Sequence, residues 1–241
     1  MRVKAVIAYD GSAFFGFQRQ TSTPHTVTQS IEEALRTLQI DTVIVGSGRT
    51  DRYVHATAQV IHFDLPDFWT DLAKLKQILN RRLTSIRFKH IQPVDNHFHA
   101  RFSAKKRYYR YLFKTTRPSV FEEKYLSFYP GKFDPFRLHE ALKYFEGEHD
   151  FRYFHKTGSP IHTTVRTIYQ SRYYQYGDIH IMTFEANGFL RSQVRLMAES
   201  ALQCARGKIT LPMLRSQIGC EAQHITKPAP PQGLYLARIF Y

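Results

Sequence analysis

Gly46-Ser47-Gly48-Arg49-Thr50-Asp51-Arg52-Tyr53-Val54-His55-Ala56, continued by Gln59-Val60-Ile61-His62-Phe63, sets one carboxylate between two arginines in a glycine-bearing loop. The runs on either side, Thr42 to Val45 and Gln59 to Phe63, are β-branched and apolar and read as strands. An ordinary reading pairs Asp51 with Arg49 or Arg52 at the surface, where the pair contributes little. Val3 to Tyr9 alternates as a strand, and Val27, Ile31, Ala34, Leu35 and Leu38 share one helical face behind a Thr26-x-x-Gln29 capping box. A helix from about Asp71 to Leu83 and a strand from Ile86 to Ile91 follow. The order is β-α-β-β-α-β, the ferredoxin-like arrangement.

A second half repeats the pattern. Arg107 to Phe113 reads as a strand, and Asp134-Pro135 opens a helix, with proline where its missing N–H costs nothing. Leu138, Leu142 and Phe145 form that helix's buried stripe. Strands are expected at about Val165 to Tyr173 and His180 to Glu185. Helical spacing then joins Leu190, Val194, Met197 and Ala201, before a closing strand from Leu234 to Phe240. The expectation is an α+β chain of two ferredoxin-like halves, residues 1–104 and 105–241, with an ordered insertion around 148–162.

Composition narrows the partners. Against 34 Lys+Arg stand 20 Asp+Glu, a formal net charge of +14, which favours polyanions through long-range attraction and counterion release. Anionic membranes compete for that role. No apolar run approaches spanning length, however, and Met1-Arg2-Val3-Lys4 leads straight into a strand pattern, so a nucleic acid is the better expectation. Cys204 and Cys220, on separate expected helices, form no metal-type spacing and read as thiols of a reducing, cytoplasmic compartment.

In order along the chain, several stretches resemble one family. The Gly-Arg-Thr-Asp-x-x-Val-His-Ala order around Asp51 resembles the active-site motif of the TruA family of tRNA pseudouridine synthases. Phe98-His99-Ala100-Arg101-Phe102-Ser103-Ala104-Lys105-Lys106-Arg107-Tyr108-Tyr109-Arg110-Tyr111 is similar to its second motif, and Asn187-Gly188-Phe189-Leu190-x-x-x-Val194-Arg195 to its third. Tyr9-Asp10-Gly11-Ser12, Gly16-Phe17-Gln18-Arg19-Gln20 and Pro230-Pro231-Gln232-Gly233-Leu234-Tyr235-Leu236 resemble its first and last segments. The resemblance implies that the two sheets merge into one central antiparallel sheet flanked by helices, the pseudouridine synthase fold. It also implies isomerisation of uridine in the tRNA anticodon stem-loop, at positions 38 to 40 of the tRNA, by a homodimer.

That reaction breaks the uridine C1′–N1 bond, turns the uracil and rejoins it through C5. No atom is lost and no redox change occurs, so neither metal nor cofactor is required. By resemblance Asp51 is the catalytic residue, as nucleophile or base, Arg195 its charge partner, and Tyr109 the ring that stacks on the target base. An arginine partner favours the ionised carboxylate against the effect of burial. Arg49 or Arg52 is expected to help extrude the target nucleotide. Tyr109 lies on a strand whose odd positions, Arg107, Tyr109, Tyr111 and Phe113, share a face. Lys105, Lys106, Arg107, Arg110 and Lys114 lace the same strand, and basic-aromatic interleaving suits stacking with phosphate contact, so Arg107, Arg110 and Arg52 are the other substrate-binding candidates. A packed tyrosine stripe is the plainer alternative.

Departures from the family pattern are Arg52-Tyr53, where small Ala-Gly is usual, Tyr108, where arginine is more frequent, and Thr84 after Leu83, where proline is. Gly46-Ser47-Gly48 lacks the lysine of a phosphate loop, and His55, His62, His97 and His99 lack metal-ligand spacing. Arg81, Arg82, Arg87 and Lys89 form a second basic cluster, either a solvated face or a hold on a distant part of the RNA. The rival function is a non-catalytic RNA-binding protein with two RRM-like halves.

Overall fold

A computed structural model describes residues 1–158 and 161–241; Ser159 and Pro160, in the expected insertion, lie outside the described residues. The chain forms two compact units, Met1–Lys105 with Tyr235–Tyr241, and Lys106–Leu234.

The first unit begins with β1 (Arg2–Tyr9), whose odd residues Val3, Ala5 and Ile7 are buried while even ones are partly open, as a sheet covered on one face requires. Next come α1 (Val27–Arg36), β2 (Val45–Gly46), β3 (His55–Asp64), α2 (Leu72–Arg82) and β4 (Ile86–Pro93). β1 lies antiparallel between β4 and β3, and β2 pairs antiparallel with β3, which is the ferredoxin-like order. Both helices start where the sequence indicates, because short polar side chains satisfy free N–H groups: Thr26 accepts from Gln29 N and Asp71 from Lys74 N. The capping box is only half made, since the Gln29 side chain donates to Glu33 instead of reaching back. Ile31, Leu35, Leu75, Leu79, Ile61, Phe63 and Phe88 are buried in the core.

The second unit contains β5 (Lys106–Lys114), β6 (Ser127–Phe128), α3 (Pro135–Lys143), β7 (Gly147–Asp150), β8 (Val165–Tyr176), β9 (Ile179–Ala186), α4 (Gln193–Ala205) and α5 (Leu211–Ile218). β9 pairs antiparallel with both β5 and β8, and β7 with β8. Tyr111, Phe113, Met182, Phe184, Leu138, Leu142, Met197 and Ala201 are fully buried. Within the expected insertion, a short 3-10 turn at Arg152–Phe154 sets the buried Phe154 edge-on against both Phe145 and Phe151.

The final strand, β10 (Leu234–Phe240), falls by sequence in the expected second half. All of it but Leu234 packs in the first unit, where Tyr235 and Leu236 pair in parallel with His55 and Ala56 of β3. β6 also pairs in parallel, with β5, so the sheets are mixed where pure antiparallel pairing was expected. Cys220 likewise sits beyond its helix, at φ 60°, donating from Sγ to the Asp150 carbonyl. No helix among the described residues is long and apolar enough to cross a membrane.

Candidate active site

Asp51 sits in the loop between β2 and β3, and the N-terminal stretch Tyr9–Phe17 holds that loop in place. Tyr9 Oη lies 2.7 Å from Thr50 Oγ1, and Phe17 N donates to the Thr50 carbonyl at 3.1 Å. Gly11 N donates to His55 Nδ1 at 3.0 Å. Gly11 and Gly16 are glycines for a contact reason: a Cβ on Gly11 would stand 2.1 Å from the Val54 carbonyl oxygen, and one on Gly16 3.1 Å from that of Thr50. On the other flank, Gln59 Nε2 donates to the Gly48 carbonyl at 2.7 Å, and Val54 N closes a turn onto the Asp51 carbonyl at 3.1 Å. The loop is therefore fixed from both sides, by the backbone bonds of Phe17 and Val54 and by bonds that the side chains of Tyr9, His55 and Gln59 make.

His55 also approaches Asp10 Oδ1, at 3.4 Å from the same Nδ1. That nitrogen already accepts the Gly11 N–H, so it carries no proton in this arrangement and the contact is not an ion pair. The ring stacks on Tyr235 at 4.8 Å, joining the start of β3 to β10.

The surface pairing of Asp51 with its neighbours is not what the structure shows. Arg49 and Arg52 are exposed, and among the described residues neither forms an ion pair. Arg52 instead lies over the Phe15 ring at 4.2 Å and the Tyr53 ring at 4.8 Å, with Nη2 donating to Tyr53 Oη at 3.0 Å. The other histidines stay apart from this loop's bonding: His62 is buried, accepts from Ala100 N at 3.1 Å and lies 4.9 Å from His99. Burial, helped by the positive charges near it, pushes His62 down to about 4. Among the described residues no group of three His, Cys, Asp or Glu side chains is placed to hold a metal.

The remaining candidates are in the second unit. On β5 the odd face is buried, with Tyr109 7% exposed and Tyr111 and Phe113 fully covered. Arg110 faces outward with its guanidinium 5.7 Å from the Tyr108 ring. The third motif folds onto this strand. Arg107 Nη1 donates to the Asn187 carbonyl at 2.8 Å, and Phe189 meets Tyr109 edge-on at 5.2 Å. Leu190 precedes α4, its N–H bound by the Gln193 side chain at 2.8 Å. Arg195 lies on the first turn of α4 and is half-buried. Its Nε donates to the Ala229 carbonyl at 2.7 Å while Ala229 N donates to the Arg195 carbonyl at 3.1 Å.

That Ala229 bond gives the last motif a physical role. Tyr111 Oη lies 2.8 Å from Ser127 Oγ and 3.1 Å from the Pro230 carbonyl, and a Cβ on Gly233 would meet the Leu112 carbonyl at 2.4 Å. Burial pushes the Tyr111 phenol above its usual range, so it stays protonated. The Pro-Ala-Pro-Pro-Gln-Gly run thus ties the Arg195 backbone and side chain to β5. Sequence reasoning missed Ala229, which acts through its backbone, and Phe15, whose only signal is its place beside Gly16 in the first motif.

Comparison with known proteins bears on the same motifs. A family model described as tRNA pseudouridine synthase matches residues 5–103 and 141–241. A Campylobacter jejuni protein named tRNA pseudouridine synthase A is 40% identical over 244 residues, covering 100% of both chains. Proteins of the same name from Helicobacter hepaticus, 40% identical over 99% of this chain and 98% of that one, and from a Geobacillus strain, 37% identical over 100% and 98%, span equally far. With its motifs in family order and its full length aligned to such relatives, this chain belongs to the tRNA pseudouridine synthase family.

Proposed function

We propose that the chain isomerises uridine to pseudouridine in tRNA, with Asp51 as the catalytic carboxylate. The observation that supports this most is the Asp51 loop itself. It is braced by Tyr9, Gly11, Gly16 and Gln59, and among the described residues neither Arg49 nor Arg52 forms an ion pair. A loop built only to turn the chain has no need to keep Arg49 and Arg52 out of ion pairs. A loop that must face a polyanion does.

In this reading Asp51 acts at the sugar as the C1′–N1 bond breaks, and Arg195, fixed by Ala229, is its charge partner. Tyr109 stacks on the uracil while it turns, Arg107 and Arg110 meet phosphates, and Arg49 helps to displace the nucleotide from its stack. Extrusion costs a few kcal/mol, roughly what several charge-assisted contacts return. The anticodon stem-loop target, positions 38 to 40 of the tRNA, and the homodimer come from family resemblance, and the cytoplasmic setting from reading Cys204 and Cys220 as thiols of a reducing compartment. No metal takes part in the reaction so described.

The test is to incubate the protein with unmodified tRNA in the presence of EDTA and map pseudouridine. Turnover is expected, and Asp51→Asn should abolish it while leaving most tRNA affinity, because affinity comes largely from phosphate contacts. Turnover by Asp51→Asn would remove Asp51 from the chemistry. Tight tRNA binding with no product from the unaltered chain would favour the non-catalytic RNA-binding reading instead.

A further inference from the structure

Two residues after Asp51 the backbone takes a costly conformation. Tyr53 sits at φ 64°, in the left-handed region that glycine adopts freely and a ring-bearing residue adopts rarely. Strain of this kind persists where the surrounding structure uses it. Here it places the Tyr53 ring 4.8 Å from the Arg52 guanidinium, with Tyr53 Oη accepting from Nη2. The Phe15 ring stands 4.2 Å away. Phe15 is itself held by backbone bonds, its N–H to the His25 carbonyl at 2.8 Å and its carbonyl to Gln20 Nε2 at 2.8 Å.

The two rings are not core residues; Phe15 is 42% and Tyr53 38% exposed. Contact with π-faces orients a guanidinium without using its N–H groups, which lie in its own plane. Among the described residues Arg52 has a single hydrogen-bond partner, Tyr53, and no carboxylate. What results is a fixed fork of donors one residue from Asp51, on a chain of net charge +14. A planar fork of this kind matches a phosphate.

We propose that Phe15, Arg52 and Tyr53 form a clamp for one backbone phosphate of the RNA strand, beside the nucleotide presented to Asp51. The clamp rests on the reading of Asp51 as the catalytic residue. It is a specificity device of this chain: Arg52 supplies the charge, and the two rings are positioning residues that hold it in one orientation.

Kinetics, tRNA binding and thermal unfolding of Arg52→Ala, Arg52→Lys, Tyr53→Gly and Phe15→Leu test it. Arg52→Ala should raise KM about tenfold, the loss falling on KM more than on kcat, and lower the slope of log affinity against log salt by about 0.7–0.9, one phosphate contact. Arg52→Lys should recover part of the affinity, since a point charge replaces the fork. Tyr53→Gly is the sharpest arm. It should raise KM severalfold while the melting temperature holds or rises, because glycine relaxes the φ 64° backbone. A purely structural Tyr53 predicts the opposite, a lower melting temperature at unchanged KM. Unaltered KM and salt slope in Arg52→Ala, with the unaltered protein active, overturns the clamp alone. Lost affinity in Arg52→Ala with no turnover by the unaltered protein instead overturns the catalytic reading, and with it the clamp's place beside a reacting nucleotide, leaving only a phosphate contact.

Discussion

Gly11→Ala probes the bracing of the Asp51 loop without touching any group assigned to the chemistry. The new Cβ would lie 2.1 Å from the Val54 carbonyl oxygen and 2.5 Å from its carbon, both backbone atoms that no rotamer change can move. Ordinary contact begins near 3.4 Å, so the two segments must separate by about 1.3 Å (3.4 − 2.1). Overpacking on this scale costs about 1–3 kcal/mol. The separation also breaks the Gly11 N to His55 Nδ1 bond, and losing a buried hydrogen bond adds about 1 kcal/mol. The sum is ~2–4 kcal/mol, or a fall in melting temperature on the order of 5–15 °C for a chain of this size. Val54 closes the turn that carries Asp51, so the carboxylate moves with it. A displacement near 1 Å costs on the order of 100-fold in rate. Thermal unfolding and single-turnover pseudouridine formation read the two effects, the second below the melting transition. Native stability together with a native rate in Gly11→Ala would show that the N-terminal stretch does not brace the loop, and the argument from close packing would fail.

Three other outcomes are expected. Tyr109→Phe should keep most activity if the ring serves by stacking, whereas Tyr109→Ala should lose about 1–3 kcal/mol of base-holding energy; activity in the alanine variant equal to that of the unaltered chain would leave Tyr109 a packing residue. Arg195→Leu strips a donor from the buried Ala229 carbonyl, at a cost of about 1–3 kcal/mol, and should impair turnover more than Arg110→Leu does; Arg195→Lys should fall between, and equal losses for Arg195→Leu and Arg110→Leu would count against its role. His62, lowered from 6.5 to about 4 in the fold, is protonated more readily in the unfolded chain, so its contribution to stability is complete above pH 6.5 and drains away as pH falls towards 4. The full window amounts to at most about 3.4 kcal/mol, and His62→Gln should flatten the stability curve between those pH values; an equally steep curve in the variant would refute the assignment.

What the sequence made legible was local. Thr26, Asp71 and Asp134 mark helix starts because each cap bond spans only two or three residues. β1 and β5 show their alternation because one face of each is buried. β7 was not legible: Gly-Glu-His-Asp carries neither β-branching nor alternation, and it is a strand because β8 offers it an edge. The Thr42–Val45 run shrank to a two-residue strand for a related reason, since only Val45 and Gly46 find partners on β3. At the site, motif order singles out Asp51, Tyr109 and Arg195 as candidates. It did not reveal that Phe15 reaches Arg52, that Ala229 binds Arg195 or that Tyr53 is left-handed. Each of those depends on a contact between distant segments or on a backbone angle that side-chain identity does not announce.

The placement of Tyr235–Tyr241 in the first unit has a consequence for how the chain reaches its native state. During synthesis from the N-terminus, Lys106–Leu234 is complete before the strand that pairs with His55 and Ala56 emerges, so the second unit can mature while the first still lacks an edge. Collapse of that intervening segment shortens the loop whose ends must meet, and lowers the entropy cost of docking β10. The start of β3, which carries His55 at the end of the Asp51 loop, is then among the last parts of the molecule to set. Nascent chains arrested before Tyr235 should hold tRNA poorly even when their second unit resists protease.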